Sequence, residues 1–225
     1  MTINDLGFIH RFIQSSSSSL SSIARTNDKK SKLTFVLLHG TGGNEDDLIF
    51  LGKQIEPAAS ILSPRGKVLE NGMPRFFTRL AEGVFDIEDL KFRTNELADF
   101  VQKCSLHYKF DLHNTIAIGF SNGANIAAST ILLHPEVLKG AILFRAMVPL
   151  VPDNLPDLSN KHILLSAGLS DPIVSTKQTQ NLYNLFHKTG ANVQLKWQHS
   201  SHNLIPDDIV YAKEWLIKIV TDKFL

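Results

Sequence analysis

Five short, almost uniformly apolar runs punctuate this chain: residues 33–38 (LTFVLL), 58–62 (AASIL), 115–118 (TIAI), 141–144 (AILF) and 163–166 (ILLS). Runs of that length with no polar alternation suit strands covered on both faces, and such strands belong to parallel sheets. Helical spacing fills the gaps between them. Leu90, Thr94, Leu97, Val101, Cys104 and Tyr108 recur at intervals of three and four, which places them on one helical stripe. Residues 174–189, closed by Gly190, and residues 209–220 read as two further helices, with Leu182, Phe186, Ala212, Leu216 and Ile219 facing inward. Val193, Leu195 and Trp197 alternate as one more strand. Strands alternating with helices predict an α/β fold with a mostly parallel central sheet and helices on both faces.

The ends and connections add detail. Residues 8–13 (FIHRFI) read as a first strand, the serine run 15–19 as a hairpin loop, and residues 26–30 (TNDKK) as a polar turn. With 225 residues, 43% hydrophobic and 20% charged, the chain has the balance expected of one α/β domain spanning residues 1–225. Lysine and arginine number 23 against 22 aspartate and glutamate, without a basic block, so neither nucleic acid nor an anionic membrane surface is an expected partner. Cys104 is the single cysteine, cannot form an internal disulfide, and reads as an inert core thiol. No apolar stretch approaches a membrane span and the N-terminus lacks a signal-peptide pattern, which together predict a cytoplasmic protein.

The run 115–118 leads into GFSNG (residues 119–123) and then the alanine-rich stretch 124–128. A strand, a tight turn and a helix around G-x-S-x-G expose a serine hydroxyl at the carboxyl edge of the sheet, with glycines relieving the crowding two residues to either side. The helix that follows points its positive end where an oxyanion would form. A serine hydroxyl needs a base, and the chain supplies candidates in the expected order. Asp171 follows the run 163–166, and His202 follows the strand ending near Trp197. His199 competes with His202 because it lies nearer that strand end. Asp153 and Asp157, in a proline-rich loop, read as solvated. HGTGG (residues 39–43), directly after the run 33–38, can turn a backbone amide toward the serine. It lacks the Lys-Ser/Thr of a phosphate-binding loop, and Glu45 spoils the dinucleotide fingerprint. His39 itself reads as structural.

The elements HGTGGNEDDL (39–48), SPRG (63–66), GMPRFF (72–77), GFSNGANIA (119–127), SDP (170–172) and SHNL (201–204) resemble the phospholipase/carboxylesterase family of α/β-hydrolases, from about Phe8 onward. Within it the chain is most similar to small bacterial carboxylesterases, including a branch associated with hydroquinone and quinone responses, and more distantly to acyl-protein thioesterases. The resemblance implies an α/β-hydrolase fold with a Ser121, Asp171 and His202 triad, and an oxyanion hole made by the amides of Thr41 and Asn122. Asn122 stands where glutamine is common, and Ser201 where glycine is usual.

The reading is a serine hydrolase that cleaves small carboxylic esters through an acyl-enzyme, with no metal and no organic cofactor implied. A thioesterase and a ligand sensor on the same fold are the alternatives. The proline-rich connection 145–162 is too short for a large helical lid, so short acyl chains are expected. Met73 and Phe76, after the run 58–62, and Phe144 and Met147, at and beyond the end of the run that begins at Ala141, are the expected pocket walls. A small-molecule ester is the expected partner, and a homodimer stays open.

Overall fold

The structure, a computed structural model, describes residues 6–15 and 32–221. In chain order, strands β1 (His10–Ile13), β2 (Thr34–Leu38) and β3 (Ser60–Pro64) precede two small hairpins, β4 (Val68–Glu70) with β5 (Met73–Arg75) and β6 (Arg79–Ala81) with β7 (Val84–Phe85). Strands β8 (Thr115–Phe120), β9 (Gly140–Phe144), β10 (His162–Gly168) and β11 (Asn192–Gln198) follow. The helices are α1 (Ile49–Ile55), α2 (Ile87–Tyr108), α3 (Asn122–Leu133), α4 (Thr176–Lys188) and α5 (Pro206–Thr221).

Seven strands form the central sheet in the order β1-β3-β2-β8-β9-β10-β11. All neighbours pair in parallel except β1, which runs antiparallel to β3. The apolar runs lie in the middle because both faces are covered. Along β2, Val36 and Leu38 face the layer built by α2, α3 and α4, whereas Phe35 and Leu37 face α1 and α5. Successive side chains of a strand point to opposite faces, so an unbroken apolar run fills two cores at once. Residues of α2, Leu90, Leu97, Val101 and Cys104, enter the first core, and Ala212, Trp215 and Leu216 of α5 enter the second.

Helix ends follow local chemistry. Asp86 caps α2 by accepting the amide of Asp89. Ser175 and Gln178 close a reciprocal capping box at the start of α4, and Pro206 opens α5 in the first-turn position that tolerates a missing N–H.

The structure differs from the sequence reading in three places. Strand β1 is separated from β2 by β3, so the two are not the arms of a hairpin, and the expected hairpin loop is corrected. The serine run beyond Ser15 and the turn at 26–30 lie outside the described residues. The hairpin β4–β5 is an addition to the sequence reading: its turn is Asn71-Gly72, with φ of 52° and 80°, the residue pair that a two-residue hairpin turn favours. The seven-residue helix α1 carries too short a stripe to stand out.

No helix among the described residues is long and apolar enough to cross a membrane. Cys104 is fully buried, and that burial pushes its thiol up to about 12. The thiolate, not the thiol, is the reactive form. Cys104 is therefore expected to stay unlabelled by Ellman's reagent in the native protein at neutral pH and to react stoichiometrically once urea unfolds it; fast native labelling would contradict its place in the core.

Candidate active site

Strand β2 lies between β3 and β8, so the chain leaves β2 toward one side of the sheet and returns through β8 on the other. Such a reversal of strand order opens a crevice at the carboxyl ends of the two strands. Because Leu38 pairs with Gly119, the loop after β2 and the turn after β8 emerge side by side, and both sequence motifs fall there.

Ser121 sits in that second turn with φ of 52°, a region costly for a side-chain-bearing residue. The turn is held by two hydrogen bonds and two close glycine contacts. The amide of Ser121 donates to Phe144 O at 2.9 Å, and that of Asn125 donates to Ser121 O at 3.0 Å. At Gly123 a Cβ would lie 2.0 Å from Leu38 O, and at Gly119 it would lie 2.6 Å from Gly123 O. Both glycines are demanded by backbone contact, which is the physical content of the G-x-S-x-G spacing.

The Ser121 hydroxyl lies 3.0 Å from His202 Nε2, and His202 Nδ1 lies 2.8 Å from Asp171 Oδ2. The other carboxylate oxygen of Asp171 accepts the amides of Ile173 and Val174 at 2.8 and 3.0 Å. That carboxylate is 1% exposed, while the imidazole is 18% exposed, so the acid is locked and the base faces the open edge. The Asp171 and His202 loops approach closely because Gly168 leaves room: a Cβ there would lie 2.3 Å from Ser201 O. His199 is exposed, and Asp153 and Asp157 are exposed on the surface. This geometry lets the imidazole accept the serine proton while its other nitrogen donates to the carboxylate, the arrangement that activates a hydroxyl nucleophile.

Asn122 opens α3, where first-turn amides lack intrahelical acceptors. Its side-chain oxygen accepts the amide of Phe76 at 2.8 Å, tying the serine turn to the segment after β5. In the loop after β2, the amides of Gly42 and Gly43 are taken by Pro74 O and Gly40 O. The Thr41 hydroxyl accepts from the buried Arg75 guanidinium at 2.7 Å. His39 braces the same loop. Its Nε2 accepts from the amide of Gly66 at 3.0 Å, so the neutral ring carries its proton on Nδ1 and donates to Gly40 O at 2.6 Å. Burial pushes His39 below its ordinary value, in keeping with a neutral structural role. Glu45, paired with Arg65, anchors the loop's far side.

The expected pocket walls divide. Met73 is 42% exposed and lies beside Gly42, where a Cβ would stand 3.6 Å from its sulfur. Phe144 is corrected: strand alternation sends its ring into the core with Trp215 and Ile142, where it is fully buried, and only its carbonyl serves the site. Phe76 and Met147 are buried as well. The Phe76 ring packs on His39, and Met147 is held by Asn125 Oδ1 at its amide and by Gln178 at its sulfur. A cavity of about 490 Å³, lined by Phe12, Thr34, Ser60, Tyr108 and Phe110, opens at the opposite, amino-terminal edge of the sheet, away from Ser121. Among the described residues no group of three histidine, cysteine, aspartate or glutamate side chains is placed to hold a metal.

Residues 20–220 match the phospholipase/carboxylesterase family. A Bacillus subtilis protein named "Putative hydrolase MhqD" is 47% identical over 180 residues, spanning 80% of this chain and 90% of that protein. The crystal structure of a Bacillus cereus carboxylesterase superposes with a TM-score of 0.87 at 43% identity, covering 96% of each chain. Acyl-protein thioesterase 1 of Candida albicans is 26% identical over 185 residues, 70% of this chain and 79% of that protein.

The state of His39 sets a pH dependence. Its value in the folded protein is lowered from 6.5, so the unfolded chain binds the proton more readily. Stability from this group is then fully present above about 6.5 and is lost as pH falls through the folded value. Urea unfolding between pH 7 and pH 5 is expected to show a steeper loss of stability in the native protein than in His39→Gln; equal slopes would remove His39 as the cause.

Proposed function

The chain belongs to the phospholipase/carboxylesterase family of α/β-hydrolases, and from that premise we propose that it hydrolyses small carboxylic esters through a covalent acyl-enzyme on Ser121. The observation that carries the reading is the pair of contacts made by one imidazole, His202, to Ser121 Oγ at 3.0 Å and to Asp171 Oδ2 at 2.8 Å. His202 takes the hydroxyl proton as Ser121 Oγ bonds to the acyl carbon, then returns it to the departing alkoxide. Asp171 holds the imidazole in the Nδ1–H tautomer and stabilises its charged form. The amides of Thr41 and Asn122 receive the oxyanion, supported by the placement of Asn122 at a helix start and by the bracing of Thr41 through Arg75. Water then repeats the sequence on the acyl-enzyme and releases the carboxylic acid.

Substrate size follows from the edge of the sheet. The connection between β9 and β10 contains no helix or strand, so no helical lid spans it, and Met73 stands open beside the Thr41 loop. Short acyl groups and compact alcohols suit such an edge. Thioester cleavage is the second reading, favoured by the acyl-protein thioesterase among the relatives. A cytoplasmic setting belongs to the proposal, supported by the lone, buried Cys104, which has no partner in the chain for a disulfide.

Ser121→Ala is expected to keep the fold and lower kcat on a short-chain chromogenic ester by at least about 10³-fold, with His202→Ala similar and His199→Ala within a few-fold of native. A fluorophosphonate should label the native protein at Ser121. Full turnover in Ser121→Ala would overturn the mechanism, and ligand binding without labelling or turnover would favour the sensor. Across esters of rising acyl length, kcat/KM should fall beyond short chains, and Met73→Ala should change the ratios between esters while labelling persists. A steady rise toward long chains would contradict the open site, and matched ester and thioester pairs rank the two readings.

A further inference from the structure

The loop that presents His202 has no regular secondary structure, yet its imidazole must meet Ser121 across the sheet edge. One side chain holds that loop from below. Arg145 follows the last residue of β9 and is fully buried. Its Nε donates to Ser201 O at 3.3 Å and its Nη2 donates to Asn203 O at 2.6 Å, the carbonyls on either side of His202. Nη2 also donates to Ser200 Oγ at 3.1 Å, and Nη1 donates to Ser166 O at 3.2 Å. The guanidinium is itself seated by Asp208, through Nη1 to Oδ1 at 2.9 Å and Nη2 to Oδ2 at 2.7 Å. Asp208 in turn accepts from Ser166 Oγ at 2.6 Å and from the amide of Ile205 at 2.8 Å, so both carboxylate oxygens are satisfied.

Two features argue that this network does more than stabilise. A fully buried ion pair gains little over apolar residues of the same size, because desolvating two charges offsets their attraction. Arg145 also holds φ of 56°, a left-handed backbone setting that is unfavourable for a side-chain-bearing residue. That setting occurs one residue after the carbonyl that seats the serine: Phe144 O accepts the amide of Ser121, and the adjacent guanidinium grips the chain on both sides of His202. One dipeptide at the end of β9 therefore spans the distance between the two groups.

We propose that Arg145 is the positioning residue for His202, with Asp208 as its seat, and that the pair Phe144-Arg145 sets the separation of Ser121 Oγ and His202 Nε2. The proposal rests on the reading of His202 as the base. Lysine cannot replace the arginine here, since a single ammonium cannot pair in bidentate fashion with Asp208 and also reach both carbonyls.

The test uses Arg145→Lys, which keeps a cation opposite Asp208, and the double variant Arg145→Met with Asp208→Leu, which removes both charges together. Each is assayed for kcat, KM, fluorophosphonate labelling rate and thermal unfolding, with activity referred to the folded fraction. The expected result for both variants is a fall in kcat and labelling rate of about 10²-fold, the scale of a misplaced catalytic group, with KM within about threefold of native. The double variant should melt lower, because the Ile205 amide and the Ser201 and Asn203 carbonyls lose their partners, and referring activity to the folded fraction separates position from stability. Leu97→Ala, a core change on α2 on the sheet face opposite α5, should lower the melting temperature with kcat within about twofold. A folded variant with kcat and labelling near native would overturn the proposal, as would a Leu97→Ala protein that loses kcat as steeply. Should the double variant fail to fold, Arg145→Lys decides by the same readouts. If Ser121→Ala is inactive while Arg145→Lys is normal, the clamp alone fails; if Ser121→Ala is active, the serine mechanism fails with it.

Discussion

A backbone held in a costly conformation at Ser121 is the constraint around which this edge of the molecule is organised. At φ of 52° the residue costs on the order of 1–3 kcal/mol, and it persists only because its surroundings leave no alternative. Gly123 presses against the carbonyls of Leu38 and His39, Gly119 against the first turn of α3, and the Ser121 amide is bonded to Phe144 O. The contacts come from the end of β2, the first turn of α3 and the end of β9. The parallel register of β2, β8 and β9 is thus what stabilises the turn, and the fully buried apolar runs are what stabilise the register.

Polar side chains then transmit that register to the loops. Asn122 reaches the amide of Phe76, Asn125 reaches the amide of Met147, His39 reaches the amide of Gly66, and Asp171 reaches those of Ile173 and Val174. All are side-chain acceptors for backbone N–H groups that would otherwise be lost to the ladder, and leaving such groups unmade in a buried setting costs about 1–3 kcal/mol each. The pattern explains why asparagine, histidine and aspartate gather at the carboxyl ends of the strands while the strands themselves are apolar. Loops with no regular structure are each pinned by one or two such bonds.

Burial separates the two kinds of histidine in this arrangement. His39 is enclosed, neutral and bonded at both ring nitrogens to backbone groups, so it acts as a brace. His202 keeps one face open to the edge where a substrate would arrive, and its two nitrogens meet side chains of opposite character, a hydroxyl and a carboxylate. The same imidazole chemistry serves structure in one place and suits the proposed proton transfer in the other, and solvent access together with partner type makes the difference.

The parallel α/β architecture, the strand–turn–helix at Ser121 and the chain order of serine, aspartate and histidine can all be read along the chain, because each depends on local period or spacing. Residues 33–38 cannot satisfy two cores except as a covered strand, and GFSNG cannot make its turn without small residues at both ends. The pairing of β1 with β3 rather than with β2, the turn of Phe144 into the core, and the meeting of Arg145 and Asp208 beneath His202 depend on how distant elements stack. Arg145 was visible as a lone charge inside an apolar stretch, but its partner lies 63 positions away. Pairing across that separation is set by which strands and helices stack together, and a linear pattern of residues carries the period of each element without the identity of its neighbours.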